Sequence, residues 1–243
     1  MPAMYEIMDA SPATIIIVMA AMMVTPLHLL ATFIFSGASA RTGVILAALF
    51  MLWGATMTWF CLAGVPASLG PAGNLVVPVC WVTPSALLLL FRKRVMAHPL
   101  SQRWLVGLQL WRVIGGVFLI ELARGNLPGA FAYPAGIGDI LAGLLALAAL
   151  LSSRNGRIAP GWVIAVIVFG MADFVFALFF GVTSGDGPLQ LFESDARSSV
   201  LVFPTGMIPL FLVPYAIFFH TLSWLQLRRD RATAATHPGA AQR

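Results

Sequence analysis

Long apolar blocks separated by short polar breaks dominate the pattern along this chain. A hydrocarbon layer about 30 Å thick takes roughly 20 apolar helical residues per crossing. Blocks at 13–36, 43–65, 73–91, 104–123, 130–151, 161–183 and 199–226 are at or close to that length. They predict an all-α integral membrane bundle of seven transmembrane helices. On this reading residues 1–230 form one transmembrane domain, and 231–243 a short cytoplasmic tail without regular structure. The first block follows a segment with Glu6, Asp9 and no lysine or arginine, and it is long for a cleavable signal peptide, so it is expected to be retained.

Composition agrees with the pattern, since 60% of the 243 residues are hydrophobic and only 9% charged. Charge then orients the bundle, because short cytoplasmic loops are rich in lysine and arginine. With the N-terminus outside and the C-terminus cytoplasmic, Arg41, Arg92, Lys93, Arg94, Arg103, Arg154, Arg157, Arg228, Arg229, Arg231 and Arg243 all fall inside. Only Arg124 and Arg197 fall outside, together with the acids Glu6, Asp9, Asp186, Glu193 and Asp195. The basic balance therefore reports topology and attraction to anionic membrane lipids, not a nucleic-acid partner. The setting expected is the inner (plasma) membrane, crossed several times.

Charged side chains in a bilayer cost roughly 2.5–3.5 kcal/mol each at a helix centre on insertion scales, so each calls for a partner or a purpose. Arg112, Asp139 and Asp173 stand near mid-depth in the fourth, fifth and sixth spans. Helical spacing puts Arg112 on a face with Leu108, Gln109, Gly115, Gly116 and Leu119. Asp139 shares its face with Ala132, Ala135, Gly136, Ala142, Gly143 and Ala146, small residues that let another backbone approach. The tight Gly125-Asn126-Leu127-Pro128 turn makes the two helices antiparallel neighbours, which predicts an Arg112–Asp139 ion pair. Asp173 is left without an evident basic partner, on a face with Phe169, Gly170, Phe176, Ala177 and Phe180, as a candidate proton carrier or cation site. A carboxyl hydrogen-bonded to a neighbouring helix among packing phenylalanines accounts for the same pattern.

Other polar positions carry plainer explanations. Glu121 and Arg124 form an i,i+3 pair near the outer end of the fourth span, on the face opposite Arg112. His28 and His220 are candidate relay or binding residues, and equally hydrogen-bonded core histidines. Cys61 and Cys80 read as buried thiols, with a bridge between neighbouring helices as the alternative. No metal-ligand spacing occurs, and no cofactor is expected. Pro204, Pro209 and Pro214 interrupt the last span and free backbone carbonyls, which favours a cavity along it; a packing kink serves as well. The connection from Thr183 to Ser199 reads as a lid or as a plain connector.

Pro78 and Pro84 in helix three, and Pro209 and Pro214 in helix seven, each precede a basic end, a weak echo of a three-plus-one-plus-three repeat. The only lysine, Lys93, sits in an inner loop, which excludes a retinal Schiff base within a helix. Walker, GxSxG, HExxH and diiron patterns do not occur. The stretch Arg112-Val-Ile-Gly-Gly-Val-Phe-Leu, then Leu127-Pro-Gly-Ala-Phe-Ala-Tyr-Pro-Ala-Gly-Ile-Gly-Asp139, with Phe203-Pro and Ile208-Pro-Leu-Phe-Leu-Val-Pro214, resembles a group of uncharacterised bacterial polytopic membrane proteins. The resemblance covers helices four to seven and implies a bacterial inner membrane.

Three readings of function remain. In the first, a small solute or proton is bound or carried at Arg112, Asp139 and Asp173, with Gln109, His28 and His220 beside them. In the second, an aspartic acid initiates cyclisation or isomerisation of a lipophilic substrate. In the third, the polar residues only fix the packing of a structural or accessory membrane subunit.

Overall fold

In the computed structural model, residues 9–69, 73, 75–185, 189–192 and 200–236 are described. Among them are seven helices long and apolar enough to cross a membrane. They are α1 (Pro12–Phe35), α2 (Ala40–Leu62), α3 (Val76–Val95), α4 (Gln102–Ala123), α5 (Gly129–Leu151), α6 (Pro160–Thr183) and α7 (Ile208–Thr236). Local chemistry sets several starts. The Ser11 hydroxyl accepts from Ala13 N at 3.2 Å ahead of Pro12, and the Ser39 hydroxyl accepts from Thr42 N at 3.3 Å. α6 opens on Pro160, whose missing donor costs nothing in a first turn.

The helices are arranged around α7. Of its apolar stretch 83% is buried, against 50% for α4 and less for every other span. α5 lies along the middle of α4 and against α6, α2 lies on α1, and α3 lies on α7. Polarity is inverted relative to a water-soluble domain. Arg112, Glu121, Asp139 and Asp173 are buried, while Ile16, Leu27, Leu52, Leu90, Val168 and Val175 face outward.

Two helices depart from the expected outline. α7 begins at Ile208 rather than 199, because residues 201–206 form turns around Pro204 and Gly206. It also runs on to Thr236, so residues 231–236, expected to lack regular structure, are helical. Hydroxyls of Thr233 and Thr236 bond back to the Arg229 and Ala232 carbonyls along that last stretch. Residues 237–243 of the expected tail, and residues 186–188 and 193–199 of the expected lid or connector, lie outside the described residues.

α4 is not one regular α-helix. Residues Leu108–Gly116 wind as a 3-10 helix between two α-helical ends. Three residues per turn stack Gln109, Arg112 and Gly115 in one row, and all three are buried. α7 opens with a π-helical turn at Ile208–Leu212, containing Pro209. Its displaced carbonyls find partners on other helices, and the turn also lines a cavity, as the proline pattern implied. The Trp81 indole donates to Pro209 O at 2.8 Å, and the Trp53 indole donates to Leu210 O at 2.9 Å.

Candidate functional site at the centre of the bundle

The small-residue stripe on α5 does what its pattern predicts. Ala132, Ala135, Gly136, Asp139, Ala142, Gly143 and Ala146 are all buried, and α5 packs on α4 along this stripe. A Cβ at Gly136 would come within 3.2 Å of the Gly115 carbonyl, which measures how closely the two backbones approach. At Gly115 an added Cβ would overlap the Asp139 carboxylate, so the glycine of the 3-10 row is the space in which that carboxylate lies.

The expected ion pair is present. Arg112 places Nε and Nη2 each 2.8 Å from Asp139 Oδ1. The expectation that Asp173 lacks a basic partner is corrected. Arg112 Nη2 also binds Asp173 Oδ2, and Nη1 donates to Gly170 O at 3.3 Å. One guanidinium thus bridges α4, α5 and α6. The sequence pairing of α4 with α5 concealed this, because the fork of an arginine serves two carboxylates at once. Gly138 makes the second contact possible, since a Cβ there would overlap Asp173 Oδ1.

The aromatic surroundings also differ from the helical-face reading. Phe169 and Phe176 are 37% and 59% exposed, so they face away from the cluster. The ring beside it is Phe174, whose centroid is 4.0 Å from Arg112 Cζ, a cation–π geometry. Trp81 of α3 follows, 5.9 Å from Phe174 between centroids. No three- or four-residue spacing links Phe174 to Asp173, and Trp81 is on another helix. Sequence periodicity could not find either.

Of the remaining candidates, His220 and Gln109 are brought near and His28 is not. His220 lies 6.2 Å from Phe174 between centroids and behind Gly170, and its Nε2 has no hydrogen-bond partner among the described residues. Gln109 is one 3-10 turn before Arg112 and donates to Ala216 O at 3.4 Å. His28 Nε2 stands 2.8 Å from Trp104 O, and the ring packs edge-on to Trp104 and Phe219. It borders a separate cavity of about 490 Å³ with Arg103, Gly107 and Trp111.

The expected i,i+3 pair of Glu121 with Arg124 is present. The Arg124 contact is long, 3.9 Å, and Glu121 is completely buried. Its Oε1 accepts from Ser11 N at 3.0 Å and from the Thr14 hydroxyl, and its Oε2 accepts from Asn126 at 2.7 Å. The residue ties the start of α1 to the α4–α5 turn. Cys61 and Cys80 are buried free thiols. No three His, Cys, Asp or Glu side chains converge as a metal site among the described residues.

Asp139 and Asp173 border a cavity of about 260 Å³. Its walls include Trp81, Phe118, Phe131 and Phe174, with Ile208, Pro209 and Val213 contributed by α7. It extends to Pro66, Gly185 and Val200–Val202, the end of the bundle where α2 joins α3 and α6 joins α7. Asp139 Oδ2 and Asp173 Oδ1 accept no hydrogen bond among the described residues, whereas Arg112 has no exposed surface.

Seven apolar helices enclosing a charged cluster fit the multi-pass membrane class. Residues 71–228 match a family described as a domain of unknown function (DUF8737), and the chain belongs to that family. The match runs from ahead of α3 into α7 and so contains Arg112, Asp139, Asp173 and His220. No curated protein and no solved structure matches the chain.

Proposed function

We propose that this protein binds a small solute or proton at Asp139, Arg112 and Asp173 and moves it through the bundle. The observation that carries this reading is the cavity bordered by both carboxylates at the level of a three-helix ion cluster. Buried charge that served packing alone would gain nothing from a cavity beside it, and replacing a buried ion pair with apolar groups is often neutral or stabilising. Charges at membrane depth beside a broken helix are the usual construction of a transport site. Here α4 is 3-10 around Arg112, and α7 is π-helical where it lines the cavity.

The same reading places the protein in a bacterial inner membrane, with its N-terminus outside. The charge bias supports that orientation, and it turns the cavity toward the outer face. The outward-facing apolar side chains are then in contact with lipid. The proposal does not need an internal repeat. Such a repeat would make α3 and α7 equivalent, yet 28% of the first and 83% of the second are buried.

Native mass spectrometry of gently purified protein tests the reading, with wild type compared with Asp173→Asn and followed by flux in proteoliposomes. The expected result is a small molecule retained by wild type and lost from the variant. Unchanged binding and flux in folded Asp173→Asn and Arg112→Ala proteins would overturn it. A new product formed without any gradient would replace it with the cyclase or isomerase reading, and constant co-purification with one partner would favour an accessory subunit.

A further inference from the structure

We propose that the cavity takes an organic cation carrying an apolar or aromatic body. The inference rests on the solute-site reading above and names the class of solute. One guanidinium faces two carboxylates, so with both ionised the cluster is one positive charge short. Both aspartates, but not Arg112, are among the described residues that border the cavity. Arg112 is fully covered, its Cζ lying under the Phe174 ring, while both aspartates border the open space. Each has one oxygen, Asp139 Oδ2 and Asp173 Oδ1, that accepts no bond among the described residues.

The walls agree with that floor. No lysine, arginine or histidine is among the described residues that line the cavity. Trp81, Phe118, Phe131 and Phe174 supply ring faces and edges for an apolar body, and aromatic faces attract a desolvated cation. An anion would meet two carboxylates with no donor to reach, since Arg112 turns its N–H groups to Asp139, Asp173 and Gly170. A neutral apolar molecule would fill the walls but leave the charge deficit unmet, in a medium where uncompensated charge is costly. The volume, about 260 Å³, suits a compact one-ring ligand.

The test uses three probes of one shape: benzyltrimethylammonium, its uncharged carbon counterpart neopentylbenzene, and phenylmethanesulfonate. Binding to the full chain in nanodiscs is measured by calorimetry, with empty nanodiscs subtracted. The cation is expected to bind at least tenfold more tightly than either of the others. Asp173→Asn, which leaves one carboxylate for one guanidinium, should weaken it tenfold or more. Gly181→Leu adds volume to the wall where a Cβ has 3.5 Å to Phe131, and should block binding while the carboxylates stay in place. Binding of the anion or the neutral probe as tightly as the cation, abolished by Gly181→Leu, would overturn the cation assignment and leave the solute site standing. Binding of none of the three to folded wild-type protein would also overturn the assignment, and the native mass spectrum then decides the solute site by itself.

Discussion

Arg112 and Asp139, on antiparallel neighbours, meet through two contacts to a single oxygen, Asp139 Oδ1, with Nε and Nη2 each at 2.8 Å. The pair therefore uses only part of each group. Nη1 is spent on Gly170 O, Nη2 continues to Asp173, and Asp139 Oδ2 is left over. A bidentate fork would use both carboxylate oxygens. This one instead distributes a single positive charge over three helices.

Removing that charge should cost more than removing the whole cluster. Arg112→Met leaves two buried carboxylates uncompensated and is expected to lower stability by about 3–5 kcal/mol. The triple variant Arg112→Met, Asp139→Asn, Asp173→Asn should recover much of the loss. Reversible unfolding in mixed micelles checks both, and a triple variant no more stable than Arg112→Met would show that the charges are not coupled.

Close approach of α5 and α6 depends on Gly138. Alanine there would drive a methyl into the Asp173 carboxylate, with an expected cost of about 1–3 kcal/mol and loss of any ligand held by the cluster. Gly161→Ala is the control. Nothing lies within 4 Å of a Cβ there, and the change should stay within about 0.5 kcal/mol. Thermal unfolding of the two variants side by side measures the difference.

The π-helical turn of α7 depends on two indoles from other helices. Trp81→Phe keeps an aromatic ring but orphans the Pro209 carbonyl, at an expected cost of about 1–3 kcal/mol. Trp53→Phe should do the same to Leu210 O. Hydrogen exchange should accelerate in residues 208–213 of both variants, and unaltered exchange there would mean that the turn holds itself.

Glu121 belongs to a different part of the molecule from the charged cluster. Glu121→Ala removes the acceptor for Ser11 N, Thr14 and Asn126, and should loosen the start of α1 while leaving ligand binding at Asp139 and Asp173 unchanged. Limited proteolysis near residues 9–14 checks the first effect and calorimetry the second. A parallel loss of binding would join the two sites.

Much of the site was legible because its signals are local. Small residues at Ala132, Ala135, Gly136, Ala142 and Gly143 recur at helical spacing, and a four-residue turn forces α4 and α5 to be neighbours, so Arg112 and Asp139 could be paired from the chain alone. The partner of Asp173 could not. It lies 61 positions away on a helix that already had a partner, and only the packing of α6 against α5 brings it within reach of the same arginine. Phe174 was hidden for another reason. It sits beside Asp173 in sequence, where regular helical geometry points neighbours apart, yet its ring reaches over Arg112. His28, read as a relay or as a hydrogen-bonded core histidine, is hydrogen-bonded to Trp104 O and borders a separate cavity, a choice only the packing could make.

Seven spans, their order and the candidate charges follow from hydropathy, because a hydrocarbon layer tolerates few charges and asks for about 20 apolar residues at each crossing. Those rules act on each segment separately, so they can be read one segment at a time. Which helix occupies the centre, which carboxylates share an arginine and where space is left between side chains depend on how all seven pack together. That packing is set by close contacts among residues tens to more than a hundred positions apart. A glycine such as Gly138 acquires its meaning only when Asp173 is laid against it.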